Sequence, residues 1–404
     1  MSSLAKKIVA VLSVFIFAYV AAGFVMSRAD DQKENAYKAM TVYTEVLDHI
    51  QNDYVDQPNV HQVTSGALHG LLDSLDPQSS YMSPLEYKDY EQKTSEAAKA
   101  GAGVALTKRF GYISVISSLP DSPAAKANLR LGDVIEKIAG FTTSQMGVDQ
   151  AQVLLSGEPG TIVKLSVIRR GKTEPESVEL TLQPLSGPKV VSAMMAGGVA
   201  YLRVPTFANG MSGQIRSSLE QFKKDGARKL ILDLRNCALG NDQEGIDTAR
   251  LFLSSGTVTT LKGQTVTPQV SSADPSKVAW TAPMAVLIGN GTAGAAEIVA
   301  AAIADNHRGE TIGDRTYGTA SEQKLLQLDD GSALILTIAD YYTPANKNIA
   351  AEGVAPIDVV HAAAVDDIAQ LNNIYPPAPT DSPTDPVVKK ALDVLQAAPA
   401  QKAA

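Results

Sequence analysis

Between residues 190 and 360, short apolar runs alternate with stretches of helical period, and no other feature narrows the fold so far. Val199–Val204, Leu230–Leu234 and Met284–Ile288 read as strands. Met211–Lys224, Ile246–Leu253 and Ala296–Ala304 read as helices. Strands and helices in alternation bury their apolar faces in one layered core, so this part predicts an α/β architecture. Residues 100–184 differ in texture. Four β-type runs (Tyr112–Ile116, Val134–Ile138, Ile162–Ile168, Ser177–Leu182) are separated by Gly- and Pro-containing turns, with one helical segment at Gly147–Leu155. That pattern predicts a small β-rich module. Residues 33–95 are polar with helical period: Tyr43, Val46, Leu47 and Ile50 share one face, Pro58 interrupts, and Ala67, Leu68, Leu71 and Leu72 resume. The stretch Leu75–Tyr81 reads as a helix stop followed by turn chemistry.

The ends carry their own signals. Lys6 and Lys7 precede an uncharged stretch, Ile8–Met26, long enough for a membrane anchor and equally suited to a signal-peptide core. Ser27 and Ala29 suit cleavage after Ala29, and both readings stay open. In either, the flanking lysines direct the rest of the chain out of the cytoplasm. The expected location is therefore exported, in a bacterial periplasm or cell envelope, with the inner membrane as a partner if residues 8–26 are retained. At the other end, residues 373–386 form a proline-rich linker and 386–396 a last helix. The chain divides into 1–29 (signal or anchor), 33–98 (helical), 99–184 (β-rich module), 185–362 (α/β core) and 363–404 (linker and last helix).

Composition excludes several classes. The 43 acidic and 35 basic side chains give a net charge of -8 with no clustered basic face, so nucleic acid is not an expected partner. One cysteine, Cys237, cannot form an internal disulfide. His49, His61, His69, His307 and His361 are scattered, without zinc spacing, so no metal or other cofactor is expected.

Gly101-Ala102-Gly103-Val104 precedes a strand. Two glycines let a backbone turn its N–H groups into a concavity, which is how a free C-terminal carboxylate is captured. A peptide would then extend beside the strand beginning at Val104, with Gly147–Leu155 as the other wall. A lone Gly-x-Gly is more often only a turn. Here it is followed by Asp121-Ser122-Pro123-Ala124-Ala125-Lys126-Ala127 and Leu131-Gly132-Asp133-Val134-Ile135, an order similar to that of PDZ domains. The resemblance implies that Gly101, Ala102, Gly103 and Val104 bind peptide or protein C-terminal tails. Two positions depart from it: Asn128 where glycine is usual, and Ala139 where Asp or Asn precedes Gly140.

The segments Leu75–Pro84, Leu230–Asn236, Ala295–Ile303, Asp330–Pro344 and Gly353–Val360 together resemble the C-terminal processing (tail-specific) proteases, across about residues 35–400. The resemblance implies a multidomain α/β fold. N-terminal helices come first, then a PDZ module inserted before an α/β protease core of the ClpP/crotonase kind. It also implies a serine nucleophile and a lysine base. A serine must lose its proton as it attacks, and a lysine accepts that proton only where burial holds its pKa well below about 10.4. The turn that would carry the serine reads Gly291-Thr292-Ala293-Gly294-Ala295-Ala296-Glu297, with Gly294 at the nucleophile position. The motif that would carry the lysine reads Tyr317-Gly318-Thr319-Ala320-Ser321-Glu322-Gln323, with Thr319 at the base position and the supporting Gln323 kept. The loop that would complete the oxyanion hole reads Asp233-Leu234-Arg235-Asn236-Cys237-Ala238-Leu239-Gly240, with Leu239 where glycine permits close backbone approach.

Three substitutes remain. Thr292 has a hydroxyl two residues from the nucleophile position, but such a residue is more often a turn or cap. Lys324 follows the old base motif but alternates to the other strand face. Cys237 offers a thiol, although a lone cysteine is usually a small buried hydrophobe. The expected function is a proteolytically inactive relative that binds tails and serves as adaptor, competitor or regulator, with an active family protease as one partner. The alternative is an active serine-type endopeptidase that processes protein C-termini with a rearranged site. A third reading is an interaction protein whose groove is vestigial.

Overall fold

The computed structural model describes residues 37–95, 99–185, 187, 189–361 and 384–397, in two compact units, Met1–Ala67 and Leu68–Ala404. The stretch Ile8–Met26, the cleavage position after Ala29 and most of the proline-rich linker lie outside the described residues. In the first unit helix α1 spans 37–53, with Tyr43, Leu47 and Ile50 half-buried and Val46 exposed. Helix α2 (Val60–Asp73) begins there. Among the described residues no helix is long and apolar enough to cross a membrane.

In the second unit the turn expected at Leu75–Tyr81 stops at Ser79. Strand β1 (Ser80–Met82) follows, then helix α3 (Pro84–Ser95). Asp76 builds the turn. Its carboxylate accepts the backbone N–H groups of Gln78 and Ser79, each at 2.8 Å, and the Ser79 hydroxyl at 2.7 Å. It also accepts the Thr337 hydroxyl at 3.0 Å, so the turn is stapled to a segment far along the chain.

The β-rich module follows as β2 (Ala100–Gly101), β3 (Val104–Arg109), β4 (Tyr112–Ser118), a short helix α4 (Pro123–Lys126), β5 (Val134–Ile138) and β6 (Phe141–Thr142). Helix α5 (Val148–Leu154), β7 (Ser156–Gly157), β8 (Ile162–Ile168) and β9 (Glu176–Thr181) complete it. Its antiparallel sheet has the order β3-β4-β5-β8-β9, which leaves β3 on an edge. Alternation along β8 sends Val163, Leu165 and Val167 into the module's own core with Ile113, Ile135 and Leu180. The two departures from the PDZ pattern both sit at positive φ: Asn128 at 59° and Ala139 at 50°. Asparagine tolerates that region; alanine does so at a cost.

The core opens with β10 (Val191–Met195), β11 (Val199–Arg203), α6 (Met211–Lys224), β12 (Lys229–Asp233) and α7 (Asp242–Arg250). Next come β13 (Thr257–Lys262), β14 (Gln269–Ser272), β15 (Met284–Ile288), α8 (Ala295–Asp305) and β16 (Glu310–Gly313). Strands β17 (Ser321–Gln327) and β18 (Ala333–Tyr342), helix α9 (Ile349–Glu352), β19 (Asp358–Val359) and helix α10 (Pro386–Ala397) close it. The main sheet runs β10-β11-β12-β15-β16-β19 and is parallel from β11 onward. One face packs on α6, through Met211, Ile215, Leu219 and Phe222, and on α8. The other face, with Tyr201, Ile231 and Leu287, takes Val387, Val388, Ala391 and Leu395 of α10. A second sheet, β1-β18-β13-β14 with β17 paired to β18, brings β1 against Ala333–Ile335.

Candidate functional site

Helix α8 begins where β15 ends, and its first turn carries the site. From Ala295 to Ala304 it is buried all round, and its many alanines admit it close to the sheet. Its N-cap is Gly294, at φ 57° and ψ −123°, a conformation that costs an L-residue about 1–3 kcal/mol. A Cβ built on Gly294 would meet no heavy atom within 4 Å outside its chain neighbours. The backbone thus makes a sharp, open elbow with no side chain at its apex.

Thr319 lies against that elbow: its hydroxyl oxygen accepts the Gly294 N–H at 3.1 Å. The two positions, 25 residues apart in sequence, are therefore neighbours in space. Their contact is organised by Glu297, which the sequence reading named only as the end of a motif. This carboxylate is wholly buried and accepts from four groups. They are the Thr316 hydroxyl at 2.5 Å and the N–H groups of Gly318 at 2.7 Å, Thr319 at 2.9 Å and Gly294 at 3.0 Å. The sequence signal for it was the capping spacing, a glutamate three residues into a helix.

Burial drives the Glu297 carboxyl up to about 7, and the four donors oppose that rise. Its folded-state pKa thus stands above the ordinary 4.5. The stability it contributes is complete below about 4.5 and is lost as pH rises through about 7. Glutamine at 297 does not titrate, so Glu297→Gln is expected to cost more stability at pH 5 than at pH 8. Denaturant midpoints of the two proteins at both pH values check this. A penalty that grew with pH would mean that the donors hold the ionised form.

The other candidates are committed elsewhere. The Thr292 hydroxyl is buried, donates to the Leu234 carbonyl at 2.9 Å and accepts the Gly289 N–H at 3.1 Å. Cys237 is buried in the apolar core, and burial, with Asp233 nearby, pushes its thiol pKa far above the ordinary value. Gln323 is exposed on β17. It donates to the Ser321 hydroxyl at 2.8 Å and to the Thr337 hydroxyl at 3.4 Å, not to Thr319 or Gly294. Lys324 is exposed on the same strand.

The tail groove is altered from the expected concavity. Two of the loop's N–H groups are already spent: Gly101 donates to the Gln183 carbonyl at 3.0 Å and Ala102 to the Leu155 carbonyl at 2.9 Å. Gly103 is required where it stands. Its φ is 69°, and a Cβ there would lie 2.4 Å from Cβ of Ser122. Along the groove the Gln152 side chain of α5 donates to the Val104 carbonyl at 2.9 Å. Beside the loop is a cavity of about 390 Å³, lined by Gly101–Val104 together with Gln152, Leu155, Leu185 and Leu239. The module also covers the elbow's flank. Ala105 of β3 and Ile116 of β4 cluster with Ala293, and Ala238, Leu239 and Tyr317 pack around them.

Residues 198–360 match peptidase family S41, and residues 115–169 match a PDZ domain. The carboxy-terminal-processing protease of Bartonella bacilliformis is 30% identical over 360 residues, covering 88% of this chain and 82% of that one. The carboxyl-terminal-processing protease of Synechocystis is 30% identical over 353 residues, covering 86% and 80%. Among solved structures, a photosystem II D1 C-terminal processing protease superimposes with a TM-score of 0.64 at 25% identity, over 80% of this chain and 92% of that one.

Proposed function

The chain belongs to the carboxy-terminal-processing protease family, and from that premise we propose that it grips the C-terminal tails of peptides or proteins without cleaving them. The observation that carries the proposal is the elbow at Gly294, whose backbone is set for a nucleophile and whose apex bears no side chain. The neighbouring Thr319 hydroxyl has no accessible pKa for a general base, and it already takes a backbone hydrogen bond. Neither substitute supports a covalent route: the Thr292 hydroxyl is engaged in its turn, and the Cys237 thiol is buried and kept protonated. What persists is the β3–α5 groove with its glycine loop. We place this activity on the exported side of the membrane, where the chain would hold tails as an adaptor, or as a competitor of a working relative.

The test is a tail peptide with a free carboxylate set beside its amidated twin. Fluorescence anisotropy is expected to show at least about tenfold tighter binding of the free acid, which corresponds to about 1.4 kcal/mol. Mass spectrometry after long incubation is expected to return both peptides intact. Cleavage would overturn the proposal, and equal weak binding of the two would reduce the chain to a structural interaction protein.

A further inference from the structure

Leu239 occupies a position that neither the peptidase core nor the β-rich module explains alone. It sits in the core loop after β12, half-buried, yet it lines the cavity beside Gly101–Val104 in the module. The loop is pinned there. The Leu239 carbonyl accepts the Phe207 N–H and the Thr206 hydroxyl, both at 2.8 Å. The next residue, Gly240, presses so closely on Phe207 that a Cβ on it would lie 2.5 Å from the Phe207 backbone. Ala238 and Leu239 also pack on Ala105 and Ile116 of the module's sheet.

The module itself leaves this side of the pocket bare. Gly101 and Gly103 have no side chains, and what lies over them is Leu185, its methyl carbons 3.1 Å from where a Cβ of either glycine would be. Val104 and Leu155 supply apolar lining from within the module. With the Gly101 and Ala102 N–H groups spent, the loop has few donors left for a carboxylate. The apolar walls therefore decide which last side chain fits.

We propose that Leu239 is the wall that meets the last side chain of a bound tail, so that the tail pocket is a composite of the module and the core loop. This rests on the tail-binding reading above. It also ties two changes together. A leucine at 239 removes the close backbone approach that an oxyanion loop needs and in the same step supplies apolar surface to the pocket.

The experiment uses the full chain and three fluorescent decapeptides: one ending in leucine with a free carboxylate, its amidated twin, and one ending in aspartate with a free carboxylate. Leu239→Ala is expected to raise Kd for the leucine-ended acid about tenfold. It should leave the aspartate-ended peptide within about twofold. Leu239→Met, which keeps the volume, is expected to stay within about threefold of the parent for every peptide. Thermal melts establish that each variant is folded, and Leu185→Ala serves as a second probe of the same pocket if Leu239→Ala unfolds. If the parent prefers the free acid but Leu239→Ala and Leu185→Ala bind as tightly as the parent, the composite pocket is wrong and tail binding stands. If the parent does not distinguish acid from amide, tail binding itself fails and this inference falls with it.

Discussion

A Gly294→Ser, Thr319→Lys double variant is expected to take up a serine-directed phosphonate probe, while the parent chain and both single variants stay unlabelled. The elbow already has the positive φ a nucleophile would need, and the space for its Cβ is open. Glu297 accepts the Gly294 N–H, so the turn keeps this support when Thr319 is replaced. A side chain at 319 points at residue 294, because the present hydroxyl reaches its N–H at 3.1 Å. Lysine there would sit half-buried against the elbow, and that partial desolvation favours the neutral form that proton acceptance requires. Loss of a nucleophile and its base costs on the order of a million-fold in turnover, so the contrast is all-or-none on the scale of a labelling gel. Peptide turnover by the double variant should still be slow, since Leu239 remains in the oxyanion loop. A labelled parent, with the adduct mapped to Thr292 or Cys237, would instead establish a working site of rearranged chemistry.

Asp233→Ala is expected to destabilise the chain by about 3–5 kcal/mol, the range for a buried ion pair broken on one side. Asp233 ends β12 and is wholly buried. Its carboxylate accepts from Arg235 Nε and N at 3.0 Å, from Arg235 Nη2 at 2.7 Å and from the Tyr201 hydroxyl at 2.6 Å, with Arg203 Nε at 3.6 Å. Arg235 reaches on to Asp385 at 2.7 Å, and Asp385 caps α10 by accepting the Val387 N–H at 2.9 Å. Alanine would leave Arg235 half-buried with one partner and the Tyr201 hydroxyl with none of its present ones. Burial alone would raise the Asp233 carboxyl, but the arginines win and hold it down at about 2, below the ordinary 3.8. Its contribution is therefore present above about pH 3.8 and lost as pH falls through about 2. Urea midpoints at pH 7 give the magnitude. A loss below about 1 kcal/mol would mean that the network only breaks even against its desolvation.

Much of this architecture is legible in the sequence alone. Val134–Ile138, Ile162–Ile168, Met284–Ile288 and Met211–Lys224 have the same bounds in the structure as in the periodicity. Helix α7 begins at Asp242 rather than Ile246, because Asn241 caps it by accepting the Gln243 N–H at 2.7 Å before the apolar period starts. Ser80 and Tyr81, the end of the expected turn, belong instead to the strand Ser80–Met82, since its partner Ala333–Ile335 is unknowable from local pattern. Strand β16 goes unread because Glu310–Gly313 is short, and β17 shows only as the strand alternation at Lys324 because Ser321–Gln327 is largely exposed.

For the site, the sequence by itself determined the family, the alternating core and the residues at the elbow, because side-chain identity and period are properties of the chain alone. Only the tertiary structure decided that Gly294 keeps its strained elbow with nothing in it, that Glu297 joins it to Thr319, and that Leu239 borders the Gly101–Val104 pocket across more than a hundred residues. Those are contacts between distant segments. They are set by how strands order in a sheet and which loops that order brings together, and neither composition nor period carries that information.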